Sequence, residues 1–167
     1  MHYLDIPGIA GESVHDTQTN WNQKIQVSNF HYGVQQQASM ATGSGLVAAG
    51  ASLTPITFTK QMDKSTPFIF YKLCSGEPIA LMTLRVSQAG GQEGVYEIET
   101  IVLNNVIVTG YSTSGARGEG ALPTEYISMA VGAINETYDY RENGVSKGKV
   151  SHGFDFQKGV GSAAGGL

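Results

Sequence analysis

The sequence predicts a mainly β fold, and three observations carry that prediction. Apolar residues recur at alternate positions in several segments, Ile56 and Phe58 or Ala80, Met82, Leu84 and Val86 among them. Glycine supplies 22 of 167 residues, about twice the usual share, spread between strand-like runs with no collagen period. Only one segment carries both the start and the stop signals of a helix. A chain of 167 residues with 41% apolar content suits one domain that holds a core without disulfide or metal.

Taken in order, residues 2–6 read as a short strand ended by Pro7-Gly8, and 11–20 as a polar loop. Trp21, Ile25 and Val27 share one parity, whereas Phe30, Tyr32 and Val34 share the other. The apolar face changes side near Ser28-Asn29, which calls for a bulge, a sharp coil or two covered faces. Residues 35–52 lack periodicity and read as a long exposed loop, either disordered or used for partner contact. Residues 53–60 resume the strand pattern, with Pro55 favouring an early or edge position. Ser65 or Thr66 then caps a helix, Pro67 sits in its first turn, residues 68–74 fill it and Gly76 ends it. So short a helix must be fixed by burial, plugging or flanking a barrel or sandwich.

Two long strands follow, 79–87 and 95–109, joined by a hairpin at 89–94. The second is apolar on both faces, so it is covered on both sides over its later half. Residues 110–123 read as a second polar loop. A strand over 125–140 shifts parity from Ile127, Met129 and Val131 to Ile134, Tyr138 and Tyr140. Asn143-Gly144 then turns it into a returning strand that ends near Phe156. One domain over 1–158 and a flexible Gly/Ala/Ser tail over 159–167 complete the expected organisation.

Composition excludes several functions. Ten basic residues against fourteen acidic ones give a net charge of −4, unlike a nucleic-acid binder that must neutralise phosphates. Charged residues are only 14% of the chain, which fits either broad surfaces that bury against partners with few groups to desolvate or a Ser/Thr/Gln-rich surface that touches nothing. No basic-then-apolar leader opens the sequence and no 18-residue apolar stretch occurs, so the expectation is a soluble chain made in the cytoplasm, without membrane insertion.

His2, His15, His31 and His152 show no metal-ligand spacing, although His15 and Asp16 lie within reach of His2 and Asp5 if the first loop folds back. Cys74 is alone and reads as helix packing. Ser44 lacks a nucleophile-elbow setting. Glu97 and Glu99, on one strand face, would need an enclosed cleft to act as a glycosidase pair and read as a wet face. Gly90-Gly91 and Gly115-Ala116-Arg117-Gly118 do not lead from a strand into a helix as phosphate loops do. No catalytic, cofactor-binding or metal residue is therefore assigned, no cofactor is expected and the chain is not expected to be an enzyme. Trp21, Phe30, Tyr32, Tyr138, Tyr140, Phe154 and Phe156 keep a monomeric carbohydrate-binding or other recognition module as the alternative.

An ordered set of segments resembles the Hcp family, the ring-forming tube proteins of the bacterial type VI secretion system. Leu4-Asp5-Ile6-Pro7-Gly8-Ile9-Ala10-Gly11-Glu12-Ser13 is similar to its D-I-x-G-I-x-G-E-S opening, and residues 25–34 to its I-x-V-x-S-x-x-x-G-V strand. Phe58-Thr59-Lys60-Gln61-Met62-Asp63-Lys64-Ser65-Thr66-Pro67 resembles F-x-K-x-x-D-x-x-S-P, with Thr66 intervening before the proline. Residues 83–86, 89–91 and 106–112 fit in order, and Leu122-Pro123-Thr124-Glu125 resembles L-P-x-E. The resemblance runs from residue 3 to about 157.

The resemblance implies a small closed β-barrel of two packed antiparallel sheets with one short side helix. Its partners would be itself, as a homohexamer and stacked rings, a spike-tip protein, a contractile sheath and small effector proteins in the lumen. Secretion would pass through that apparatus without a signal peptide. It also places the loop over 35–52 at contacts between subunits or rings, and the helix near the lumen side.

Overall fold

A computed structural model describes residues 2–14, 21–41, 43, 45–90, 94–115, 120–142 and 145–163. Its strands are β1 (His2–Asp5), β2 (Ile25–Val27), β3 (Asn29–His31), β4 (Val34–Ala41), β5 (Gly45–Leu53), β6 (Ile56–Gln61), β7 (Ile79–Gly90), β8 (Gly94–Ser114), β9 (Thr124–Glu142), β10 (Val145–Asp155) and β11 (Val160–Ala163). One helix, α1 (Thr66–Ser75), lies between β6 and β7. All described pairings are antiparallel, in a nine-stranded sheet ordered β11-β10-β9-β8-β7-β1-β2, with β6 branching from β9 and β3 from β6, and in a two-stranded sheet of β4 and β5.

The mainly β expectation holds, but the closed barrel does not. The ladder runs from β11 to β2 without returning on itself. The reason lies at the parity change seen in the sequence. β2 pairs with β1 and β3 pairs with β6, and between them Ser28 leaves the ladder, its amide and hydroxyl both donating to the Thr59 carbonyl at 2.8 Å. Nor do two sheets pack face to face. The second sheet is an exposed hairpin, and one strongly bent sheet wraps the core, which joins Leu4, Ile25, Phe58, Leu84, Ile101 and Ile127.

The bend has a locus. Inward parity changes at Ala80 on β7, at Asn105 on β8 (φ 51°) and at Gly132 on β9, so three neighbouring strands turn together. Gly132 leaves room there: a Cβ would meet the end of the Gln157 side chain at 2.9 Å, which would have to swing aside, and Asn105 Cβ at 3.2 Å.

α1 follows the predicted limits, and Gly76 (φ 68°) ends it by donating its amide to the Lys72 carbonyl at 3.1 Å. Ser65 occupies the cap position, yet its hydroxyl donates to Asp63 rather than capping the helix. Ile69 is the helix residue buried completely, Leu73 is half-buried and Cys74 is exposed, contrary to its reading as packing. Where a tail was expected from residue 159, Asp155 caps a turn through the amides of Gln157 and Lys158, and β11 returns along β10. Residues 164–167 lie outside the described residues, as do the Asn143-Gly144 turn and Gly91 to Glu93.

Candidate functional site

The segment read as a structureless loop is a hairpin arm. β4 and β5 pair from Val34↔Leu53 to Ala41↔Gly45. Its root is clasped where Thr54 donates its amide to the Gly33 carbonyl and Gly33 donates its own to Thr54 Oγ1, both at 2.8 Å. Beyond that root the arm is exposed, Met40 and Leu46 at 84% and 73%. From Ile25 to Thr59 the sequence contains no Asp, Glu, Lys or Arg, so the whole arm is free of formal charge apart from any on His31 near its base.

Periodicity was hidden by a bulge. The register steps from Gln37↔Gly50 to Ala38↔Ala48, leaving Ala49 unmatched. That extra residue shifts the phase of β5 and puts Leu46 and Leu53 on the same side of the ribbon.

The arm's root is tied to the body through Tyr32, whose hydroxyl donates to Glu136 on β9. Glu99 lies beside this pair. Burial, reinforced by the negative charge of Glu136, holds its carboxyl above the ordinary glutamate range. Tyr32 is raised far above its ordinary value, by burial first and then by Glu136.

A second assembly of polar groups fixes the start of α1. Lys60 and Glu125 are fully buried with Nζ and Oε2 2.6 Å apart, and Lys60 also reaches Asp63 at 2.8 Å and the Gln61 carbonyl at 3.0 Å. Thr66 donates to Glu125 Oε2 at 3.0 Å, and Tyr111 donates to Oε1 at 2.7 Å. Burial and this bond push Tyr111 up to about 12. With every partner present, the buried charges are satisfied within the network.

The opening motif acts as a clamp. Ser13 accepts from the Lys24 amide at 2.7 Å and donates to the Trp21 carbonyl, while Gly11 donates to the Gln23 carbonyl at 2.8 Å. Glu12 accepts the Lys64 amide at 2.9 Å, tying this turn to the approach to α1.

The residues weighed for chemistry are not brought together. His31 and His152 lie exposed on separate strands, and half-buried His2 meets Phe30 edge-on. His15, Asp16, Ser44 and residues 116–119 lie outside the described residues. Among the described residues no group of three or more His, Cys, Asp or Glu could hold a metal ion.

Glu97 and Glu99 do not share a face. A register shift between Val86 and Ser87 sets Glu97 opposite Ser87, on the side where Arg85 reaches it at 3.0 Å, while Glu99 lies opposite Val86. The aromatic platform is also divided: Trp21 is buried on Tyr3 and Phe30 stacks with Tyr32, whereas Tyr138 and Tyr140 are exposed. No helix among the described residues is long and apolar enough to cross a membrane.

The family model described as "Type VI secretion system effector, Hcp" matches residues 3–138. The chain belongs to the Hcp family. A curated relative, "Protein hcp1" of Pseudomonas aeruginosa, is 32% identical over 107 residues, 63% of this Hcp-family chain and 65% of that relative's length, under two thirds of it. Among solved structures, "Structure of a type six secretion system protein" superposes with a TM-score of 0.86 at 23% identity, over 96% of this chain and 98% of that one. Hcp1 from Salmonella typhimurium gives a TM-score of 0.78 at 24% identity, over 96% and 97%. At these identities the structural likenesses speak for the Hcp-like fold, which the family match reaches independently.

Proposed function

We propose that this chain is a building block of the type VI secretion tube. Six copies form a ring, rings stack into a hollow conduit, and the conduit is driven out inside a contractile sheath behind a spike-tip protein. Small effector proteins travel in the lumen, and the chain itself catalyses nothing. It is made in the cytoplasm and leaves through the apparatus it helps to build.

Membership of the Hcp family supports this reading, and one observation carries it. The β4–β5 arm holds an uncharged surface with Met40 and Leu46 out in solvent, away from its own domain. Such a surface is a site for association. A ring repeats one contact around its axis, and stacking multiplies a weak interface by the ring's symmetry. If each stacking contact gave only ~1–2 kcal/mol, six would give ~6–12 kcal/mol before entropic costs.

Size-exclusion chromatography with light scattering tests the reading. The expected particle has about six times the 17.7 kDa mass of one chain, and micrographs should show annuli with open centres. A strictly monomeric sample at every accessible concentration would overturn it and would favour the recognition-module alternative.

A further inference from the structure

Residues paired across neighbouring strands stand on one side of a sheet, and so do residues two apart on one strand. One row of partners therefore runs His2, Val86, Glu99 and Tyr138, and the next runs Leu84, Ile101, Glu136 and His152, on the face that covers the core. Glu99 and Glu136 are diagonal neighbours at the lip of that face, both half-buried, and there Tyr32 donates its hydroxyl to Glu136. Tyr32 immediately precedes the clasp between Gly33 and Thr54. Beyond the clasp the arm is exposed, so the ties at its root decide how firmly it is held.

Diagonal carboxylates in a setting partly closed to water do not ionise independently, because the second charge must form beside the first. The groups that face Glu99 do little to offset this. β7 presents Val86, β9 presents Tyr138 and Glu136, and Tyr32 comes from between β3 and β4. Of the two histidines in the rows, His152 stands opposite Glu136 and is exposed, while burial lowers His2 and leaves it neutral at neutral pH. The nearby cations lie on the other side of the sheet: Arg85 bonds Glu97, Arg141 bonds Asp139, and Lys149 stands opposite Asp139.

We propose that Glu99 and Glu136 form a pH-sensitive latch at the root of the arm: with one proton between them Tyr32 stays docked on Glu136, and when Glu99 ionises the latch loosens. The second negative charge drives the Glu136 side chain toward water and takes the acceptor away from the Tyr32 hydroxyl. The direction agrees with the raised Glu99 carboxyl. Its proton is held more tightly in the native state, so the latch is firm below the ordinary glutamate value of about 4.3 and gives way as pH rises through the folded value. The device belongs to a single chain and stands or falls apart from the tube reading.

Amide hydrogen exchange on the full chain, read by NMR where light scattering shows one species at every pH, tests the latch. After correction for intrinsic rates, protection at Gly33 and Thr54 should be at least ~10-fold lower at about pH 8 than at about pH 5, while the Met62 amide, bonded to the Pro123 carbonyl at 2.9 Å, keeps its protection. Glu99→Gln should retain the higher protection throughout, Tyr32→Phe should show the lower protection throughout, and His152→Gln should follow the parent. Equal protection at both pH values in the parent would overturn the latch. So would a loss shared equally by Met62, one that survives in Glu99→Gln or Tyr32→Phe, or one that disappears in His152→Gln.

Discussion

Removing the charge of Lys60 should cost far more than removing that of Glu125, although the two are partners. Lys60 Nζ lies 2.6 Å from Glu125 and 2.8 Å from Asp63, so one buried ammonium serves two carboxylates. Lys60→Met keeps the bulk of the side chain and deletes the cation. Glu125 then remains completely buried with the Tyr111 and Thr66 hydroxyls donating to it, and Asp63 faces it without the intervening charge. Leaving a buried ion unpaired costs about 3–5 kcal/mol.

Glu125→Gln is milder. Lys60 keeps Asp63 and the Gln61 carbonyl, and the amide oxygen can still accept from Tyr111, so the expected loss is about 1–3 kcal/mol. The double variant should be more stable than Lys60→Met alone, because it no longer strands the Glu125 carboxylate. Urea unfolding followed by fluorescence of Trp21, the only tryptophan, reads all three, at one fixed chain concentration because assembly shifts the midpoint. A Lys60→Met variant within about 1 kcal/mol of the parent, or a Glu125→Gln variant that is the more damaged of the two, would refute this account of the buried ammonium.

Ile69→Ala should destabilise the domain by about 2–5 kcal/mol, whereas Phe68→Ala, at a half-exposed position, should stay within about 1 kcal/mol; the same urea titration compares them. Gly11→Ala should cost about 2–4 kcal/mol or prevent folding, since its Cβ would lie 2.2 Å from the Lys24 carbonyl oxygen, and a wild-type thermal melt would refute this. Glu99→Gln should stabilise the protein at neutral pH. The folded-state carboxyl is raised, so the native state holds its proton more tightly than the unfolded one, and stability falls as pH rises from about 4.3 through the folded value. The gain from the variant should vanish near pH 4, and a gain independent of pH would contradict the cause assigned.

Much of the fold was legible because it rests on local signals. Pro67 and Gly76 bracket α1 by backbone chemistry alone, and the parity break near Ser28-Asn29 does mark the point where β2 gives way to β3. What parity cannot say is where the two halves go. They diverge to different partners, β1 and β6, and the expected barrel becomes an open, branched sheet.

Irregular pairings hid the rest. Ala49 put the arm's apolar residues out of phase along the sequence, so a regular hairpin looked like a structureless loop. The shift at Val86/Ser87 separated Glu97 from Glu99, which simple alternation had placed together. Phe68, Phe70 and Tyr71 showed that α1 was apolar without showing that only Ile69 would be covered completely. The network around Lys60 was present in the segment 58–67, but its closure by Glu125 and Tyr111 requires three dimensions.

The order in which strands pair also governs when this protein can fold during synthesis. β6 obtains its ladder from β9, and Tyr32 finds Glu136 only 104 positions later. A ribosome that has released the first half of the chain has therefore released edges without their mates. Contacts this distant make closure slow, and the apolar strands left waiting are prone to stick to one another. Emergence of β9 is then the step at which a nascent polypeptide passes from a liability to a particle able to survive on its own.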